Sequence, residues 1–435
     1  MHPHPEQLPG EPPVSVPAGA VLWLRVIVGA LALVLLTLVT LPGWLPYLLL
    51  VAAYGWPPNV PRRAQIRRYL AASWATSTPG LTAGRRAWLT ILILKKVATI
   101  PVWGSAWLFD ELLYKRELDA VELRAPLFEI SAGRSGSTQL ARYLEDDPAL
   151  AAPSLLQFSF PYLWMWRLAP HTLGRLISAS QVRAKFEQML PEAFHERHEG
   201  DPFRTDTFEA ALYLPHLNHL SLFFGPDFAV AEFSPSRISP SNRELWERDF
   251  VVLLDRIGRK RLLQVPAGDR PRLFVKGHFL CAADALARRY PDARFLTVIR
   301  APSKRIQSAI NYLRVNPWDS TLGPPSWSCL AEGILRSEVA YCEAEQAWFT
   351  APNGPARTVV RFEDYVRDLP GTMRRIYAEC MEGPVPATVP KEHAPRRRSH
   401  YQVDRSLEQL GIDAAALNER LAAYVKWCRA TPPTT

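Results

Sequence analysis

At 435 residues the chain exceeds what one hydrophobic core usually supports, so one large domain plus an appendage is expected. With 48% hydrophobic and 21% charged residues it has the make-up of an ordinary globular protein, and its formal net charge of +9, spread along the sequence, suits a polyanionic small ligand or a membrane surface better than nucleic acid. Five cysteines without a CxxC pair argue against a disulfide framework and a zinc knuckle; together with the lack of any Asn-x-Ser/Thr sequon they point to a reducing compartment.

Residues 1–19 read as a disordered, proline-rich tail. Val21 to Leu41 holds a single charge, Arg25, and about 20 residues at ~1.5 Å rise match a hydrocarbon core roughly 30 Å thick. The apolar run resumes after Pro42-Gly43, through Trp44, Tyr47 and Leu48 to Trp56. Residues 20–57 therefore predict a membrane anchor, either one tilted transmembrane helix or a helical hairpin broken at Pro42-Gly43. Arg62-Arg63, Arg67-Arg68, Arg85-Arg86 and Lys95-Lys96 follow it, whereas the first 20 residues carry no Lys or Arg. By the positive-inside rule the C-terminal part faces the cytoplasm. Residues 58–118 read as basic linker helices, and the apolar stretch Trp88 to Phe109, interrupted by Lys95-Lys96, predicts an interfacial or domain-packed helix.

From about Asp119 short apolar runs alternate with amphipathic segments, so residues 119–435 predict an α/β domain with a parallel sheet flanked by helices. Predicted strands are Leu127 to Ile130, Leu273 to Val275, Arg294 to Ile299 and Thr358 to Phe362; helices follow the first three, at Ser137 to Glu145, Phe279 to Tyr290 and Ser303 to Leu313. Ligands of such sheets bind beyond the C-terminal ends of the strands. The aromatic middle, with Phe158, Phe160, Tyr162, Trp164, Trp166, Phe223 and Phe224, suits a core or a wall for an apolar acceptor.

The strongest local signal is Gly133-Arg134-Ser135-Gly136-Ser137-Thr138, directly after the first predicted strand and at the start of a helix. Backbone N–H groups and the helix N-terminus can converge there on an anion, with Arg134 and the hydroxyls as further donors. A nucleotide-triphosphate loop needs Gly-Lys-Ser/Thr, and the matching positions read Gly136-Ser137-Thr138, so a kinase or ATPase is disfavoured.

The motif resembles the 5'-phosphosulfate loop of sulfotransferases that use 3'-phosphoadenylyl sulfate (PAPS), which implies a P-loop-like α/β fold with Gly133, Arg134, Ser135, Gly136, Ser137 and Thr138 around the phosphosulfate. A second segment, Arg300-Ala301-Pro302 followed by Ser308, resembles the family's 3'-phosphate-binding segment and implies Arg300 and Ser308 in that role. Val360 to Pro370 is similar to a strand-to-helix element of the family, in which Glu363 and Asp364 are structural. Arg396-Arg397-Arg398-Ser399-His400-Tyr401 resembles the segment that closes over the nucleotide, which implies Arg396 as a donor contact. The resemblance runs from about residue 110 to 425.

In-line transfer at sulfur needs a base for the acceptor proton and a cation near the leaving oxygen. Lys276-Gly277-His278 resembles the Lys-x-His of cytosolic sulfotransferases, implying His278 as base and Lys276 at the bridging oxygen, with Arg134 completing the catalytic set. The alternative is a carboxylate, and Glu209 is the candidate. His195, His198, His216 and His219 read as structural or surface residues, and no metal is expected. The implied partners are PAPS, a membrane and a hydroxylated acceptor of amphipathic or lipid-like character. The rival reading is a non-catalytic membrane protein with a degenerate nucleotide fold.

Overall fold

The computed structural model describes residues 19–74, 82–189, 192–198, 200–208, 240–266, 271–314, 327–393 and 403–431. Its sheet has five strands, β1 (Leu127–Glu129), β2 (Leu150–Ala151), β3 (Arg272–Lys276), β4 (Arg294–Ile299) and β5 (Ala356–Arg361), in the order β2-β3-β1-β4-β5. All ladders are parallel, and Glu129 lies in register with Lys276 on one side and Leu296 on the other. Side chains alternate across the sheet, so Leu127, Phe274 and Leu296 join one core while Phe128, Val275 and Phe295 join another. Burial of both faces is what apolar parallel strands demand.

The predicted strands fall within two residues of the observed ones. β2, only two residues long, carries no periodicity from which it could be read. The predicted helix Phe279 to Tyr290 opens as a 3-10 turn at Leu280–Ala282 before becoming Ala283–Arg289. From β1 the chain moves outward to β2 and back to β3, then crosses β1 to reach β4. In open α/β sheets ligands bind beyond the C-terminal ends of the strands where the order reverses, which here is the end of β1.

Ahead of the sheet come five helices: α1 (Gly19–Thr40), α2 (Trp44–Tyr54), α3 (Arg63–Trp74), α4 (Ala83–Ala98) and α5 (Ile100–Ala120). A 3-10 turn, Leu41–Gly43, joins α1 to α2, and Thr40, Gly43 and Trp44 all keep right-handed helical backbone. The chain does not fold back at Pro42-Gly43; Gly19–Tyr54 forms one rod of 36 residues. A second long helical stretch, Ala83–Ala120, runs beside it in the same direction, with α1 against α4 and α2 against α5. Gly29 meets Trp88, and Gly104 lies under the Tyr47 ring, close approaches that a side chain would block.

The lower half of that stretch belongs to the domain. Trp107 and Leu108 in α5 are buried in the same core as Phe128 and Val275. Asp110 receives the backbone N–H groups of Leu163 and Trp164 and pairs with buried Lys260 at 2.9 Å, while Lys260 lies over the Trp107 ring at 3.4 Å. Arg256 bonds Glu111 and Asp119, and Arg62 makes a two-pronged pair with Asp249. Within Trp88 to Phe109, Ala106, Trp107 and Leu108 pack into the domain core while Val102, Trp103 and Phe109 stay exposed.

Candidate active site

Strand β1 delivers the chain into the loop 130–136, and helix α6 (Ser137–Glu145) leaves it. Two residues of the loop take positive φ, Arg134 at 64° and Gly136 at 93°. Gly136 is the N-cap of α6, no side chain caps that helix, and a Cβ at Gly136 would stand 2.7 Å from the Phe362 ring. Glycine is thus required there on two counts, backbone conformation and space. With no side chain in the way, the first-turn N–H groups of α6 are left to an outside acceptor. Ser135 turns inward instead: its hydroxyl donates to the Ala132 carbonyl at 2.8 Å and closes the loop.

Arg134 and the segment after β4 are bonded to each other. The Arg134 Nε donates to Ser308 Oγ at 3.1 Å, and its guanidinium lies 4.6 Å from the centre of the Tyr312 ring. Arg300 donates from Nη1 to the Arg134 carbonyl at 2.9 Å and stacks on Phe362 at 4.2 Å. Ser308 sits on the helix Pro302–Arg314, which Arg305 locks into the fold through Glu338, Glu345 and Tyr424. The residues assigned from the two sequence motifs therefore meet at one end of the sheet.

Lys276 ends β3 and is buried, its Nζ donating to Thr207 Oγ1 at 2.8 Å with Asp206 Oδ1 3.7 Å away. His278 follows in the loop, half-buried, and its Nδ1 donates to the Ser131 carbonyl at 2.7 Å. The other ring nitrogen overlooks the phosphate loop, since a Cβ on Gly133 would lie 3.7 Å from His278 Nε2. Burial, reinforced by the Lys276 charge, pushes the His278 imidazole down to about 3, so it is neutral at physiological pH. Beneath it, Glu129 is fully buried and burial raises its carboxyl to about 7 against the pull of Lys276.

Sequence reasoning missed several members of this cluster. His198, expected to be structural or on the surface, bonds through Nε2 to Asp206 at 2.9 Å and packs against Tyr312. Burial opposes ionisation of Asp206, yet His198 and Lys276 outweigh it and hold the carboxyl well below its usual range. Thr207, Tyr312, Ser131 and Phe362 are equally invisible as site residues. Their only signal is spatial, although Asp206-Thr207 does lie in the acidic segment that includes Glu209. Glu209, His216, His219, Phe223 and Phe224 lie outside the described residues, as do Arg396, Ser399, His400 and Tyr401. His195 bonds the Glu187 carbonyl, and Asp364 is buried and paired with Arg361 and the exposed Arg367.

Comparison with known proteins bears on the same region. The sulfotransferase STF1 of Mycobacterium tuberculosis H37Rv superposes with a TM-score of 0.56 at 19% identity, covering 87% of this chain and 97% of its own. The sulfotransferase STF9 of Mycobacterium avium gives a TM-score of 0.57 at 18% identity, with 88% and 95% covered. Both likenesses extend to the fold. A comparison with curated protein sequences finds no significant match. The family model described as the sulfotransferase family matches residues 126–382, from the start of β1 to beyond β5 and so over more than half of the sequence; the chain belongs to the sulfotransferase family.

Proposed function

We propose that the protein transfers a sulfuryl group from PAPS to a hydroxyl of a lipid-like or amphipathic acceptor at a membrane. The observation that carries this reading is the double tie of Arg134, through its side chain to Ser308 and through its carbonyl to Arg300. Two segments assigned to opposite ends of one nucleotide are thereby joined at the end of β1.

In this reading Gly133 to Thr138 hold the 5'-phosphosulfate, Arg300 and Ser308 hold the 3'-phosphate, and Arg396 adds a contact. Neutral His278 takes the acceptor proton through Nε2 while the acceptor oxygen bonds sulfur. The bond from sulfur to the 5'-phosphate oxygen breaks, and 3'-phosphoadenosine 5'-phosphate departs. The Lys276 ammonium, held by Thr207 and Asp206, stabilises the charge that builds on the leaving oxygen. Because Nδ1 gives its proton to the Ser131 carbonyl, the lone pair lies on Nε2 beside Gly133, and this geometry supports the assignment of His278.

The exposed apolar surface of Gly19–Tyr54, with a mean hydropathy of 2.5 over its best window and 6% of that window buried, supports residence in a bilayer. The cationic pairs that follow it support a cytoplasmic catalytic domain. The test is transfer of labelled sulfate from PAPS by the detergent-solubilised full chain, offered either a membrane lipid extract or water-soluble alcohols and phenols. Label in an organic-phase product, lost in His278→Asn, is the expected result. Label only in water-soluble products overturns the acceptor class, and no transfer to either overturns the activity.

A further inference from the structure

A fully buried carboxyl at the end of the central strand is not used by the chemistry above. Glu129 Oε1 accepts the backbone N–H of Ser131 at 3.2 Å and also the Ser131 hydroxyl. The same hydroxyl oxygen receives the N–H of Val298 from β4 at 2.7 Å. The Ser131 carbonyl, on the far side of that residue, receives His278 Nδ1–H. Ser131 is thus gripped by an acid from β1 and by the backbone of β4, and it presents its carbonyl to the imidazole. Glu129 Oε2 finds no hydrogen-bond partner among the described residues, and Lys276 lies opposite Glu129 in the β1–β3 ladder.

A buried acid with an unsatisfied oxygen is costly, and an apolar residue would suit a strand closed on both faces. The Lys276 charge opposite accounts for an acid at this position but not for its direct bonds, which both go to Ser131. We propose that Glu129 is a positioning residue, which through Ser131 fixes His278 in the tautomer that carries its proton on Nδ1 and turns Nε2 toward the phosphate loop. The arrangement extends the reading of His278 as base and rests on it for its catalytic consequence. An imidazole able to exchange tautomers spends part of its time with a proton on the nitrogen that must accept one. The carbonyl of Ser131 prevents that exchange only while its peptide is held in place.

The test uses the full chain in detergent, labelled with 15N-histidine and loaded with 3'-phosphoadenosine 5'-phosphate, with the His278 signals assigned by their loss in His278→Asn. In the wild type, nitrogen shifts are expected to report one fixed tautomer with the proton on Nδ1. Glu129→Met and Ser131→Ala are expected to give averaged shifts of a mixed population. In turnover they should lower kcat by about tenfold or more while the KM for PAPS stays within about twofold. Glu129→Gln keeps an acceptor for Ser131 and is expected to retain the fixed tautomer. A fixed tautomer in both Glu129→Met and Ser131→Ala overturns the proposal, and Ser131→Ala alone decides it if Glu129→Met does not fold. Undiminished turnover in His278→Asn instead removes the base reading, and the tautomer measurement still reports on Glu129 independently.

Discussion

At the carboxyl edge of the sheet Lys276 is 1% exposed and Asp206 7%, each with a partner of opposite charge; along the N-terminal rod Leu24 is 61% exposed, Leu31 67% and Leu35 64%. One region buries charge and the other exposes hydrocarbon, so the two reverse the usual relation of a globular protein to water. Buried charges are tolerated where each has a counter-charge and a hydrogen bond, as Lys276 has in Asp206 and Thr207. A long exposed hydrocarbon surface is the form that suits an apolar solvent such as a bilayer core. The contrast separates two kinds of constraint on one chain: fixed geometry at the carboxyl edge, and plain hydrophobicity along the rod.

That separation can be broken by exchanging the insult. A Lys at the centre of a membrane-embedded helix costs about 3 kcal/mol, so Leu31→Lys with Leu35→Lys should weaken membrane partitioning by about 6 kcal/mol, or about four orders of magnitude. Because those side chains project away from the cores around the sheet, ligand-induced stabilisation should be unchanged. Flotation of expressed protein with membranes, alongside melting of the purified variant, checks both halves. Retention unchanged by the pair removes the rod as the membrane contact.

The next effect in size belongs to the carboxyl edge. His278→Asn should cut turnover by about two to four orders of magnitude, the range of general-base catalysis, while leaving flotation untouched. His198→Asn offers a sharper comparison, since His198 is backed by Asp206 yet reads as no base here. A larger loss in His198→Asn than in His278→Asn would exchange their roles.

A stability effect of about 1–3 kcal/mol is expected for Gly136→Ala, where positive φ and contact with Phe362 act together. The corresponding change at Gly19, which has open space around it, should be neutral. Melting curves of the two variants compare a position fixed by geometry with one that is not.

The smallest effect concerns pH. His278, pushed down to about 3, refuses in the folded state a proton that the unfolded chain takes up below about 6.5, so acidification through that window costs stability. Glu129, raised to about 7, has the opposite slope between its ordinary 4.5 and 7, because the folded state keeps a proton that the unfolded chain has released. In Glu129→Gln the opposing slope disappears, and the melting temperature should fall more steeply than in the wild type as pH drops from about 6.5 to 4.5. Parallel curves for the two proteins would show that the carboxyl does not titrate there.

Much of the fold was readable from local pattern alone. β4 was predicted residue for residue at Arg294 to Ile299, and helix α6 at Ser137 to Glu145, because an apolar run followed by a Gly/Ser turn leaves few alternatives. Arg134, Arg300 and Ser308 were legible through motifs, but their mutual bonds were not, since they join residues far apart in the chain. The same distance hid the His198–Asp206–Lys276 cluster, and burial hid Glu129, which in sequence is only one acid near a strand end. The rod was readable as apolar, whereas the parallel course of the two long helical stretches depends on the fit of Gly29 and Gly104 to aromatic rings.

The most direct measurement is thermal stabilisation of the detergent-purified chain by 3'-phosphoadenosine 5'-phosphate, set against ATP with magnesium and repeated in Arg134→Ala and Arg300→Ala. The account predicts stabilisation by the first ligand alone, abolished or sharply reduced in both variants. Stabilisation by ATP with magnesium alone, or undiminished stabilisation by 3'-phosphoadenosine 5'-phosphate in both variants, would contradict it.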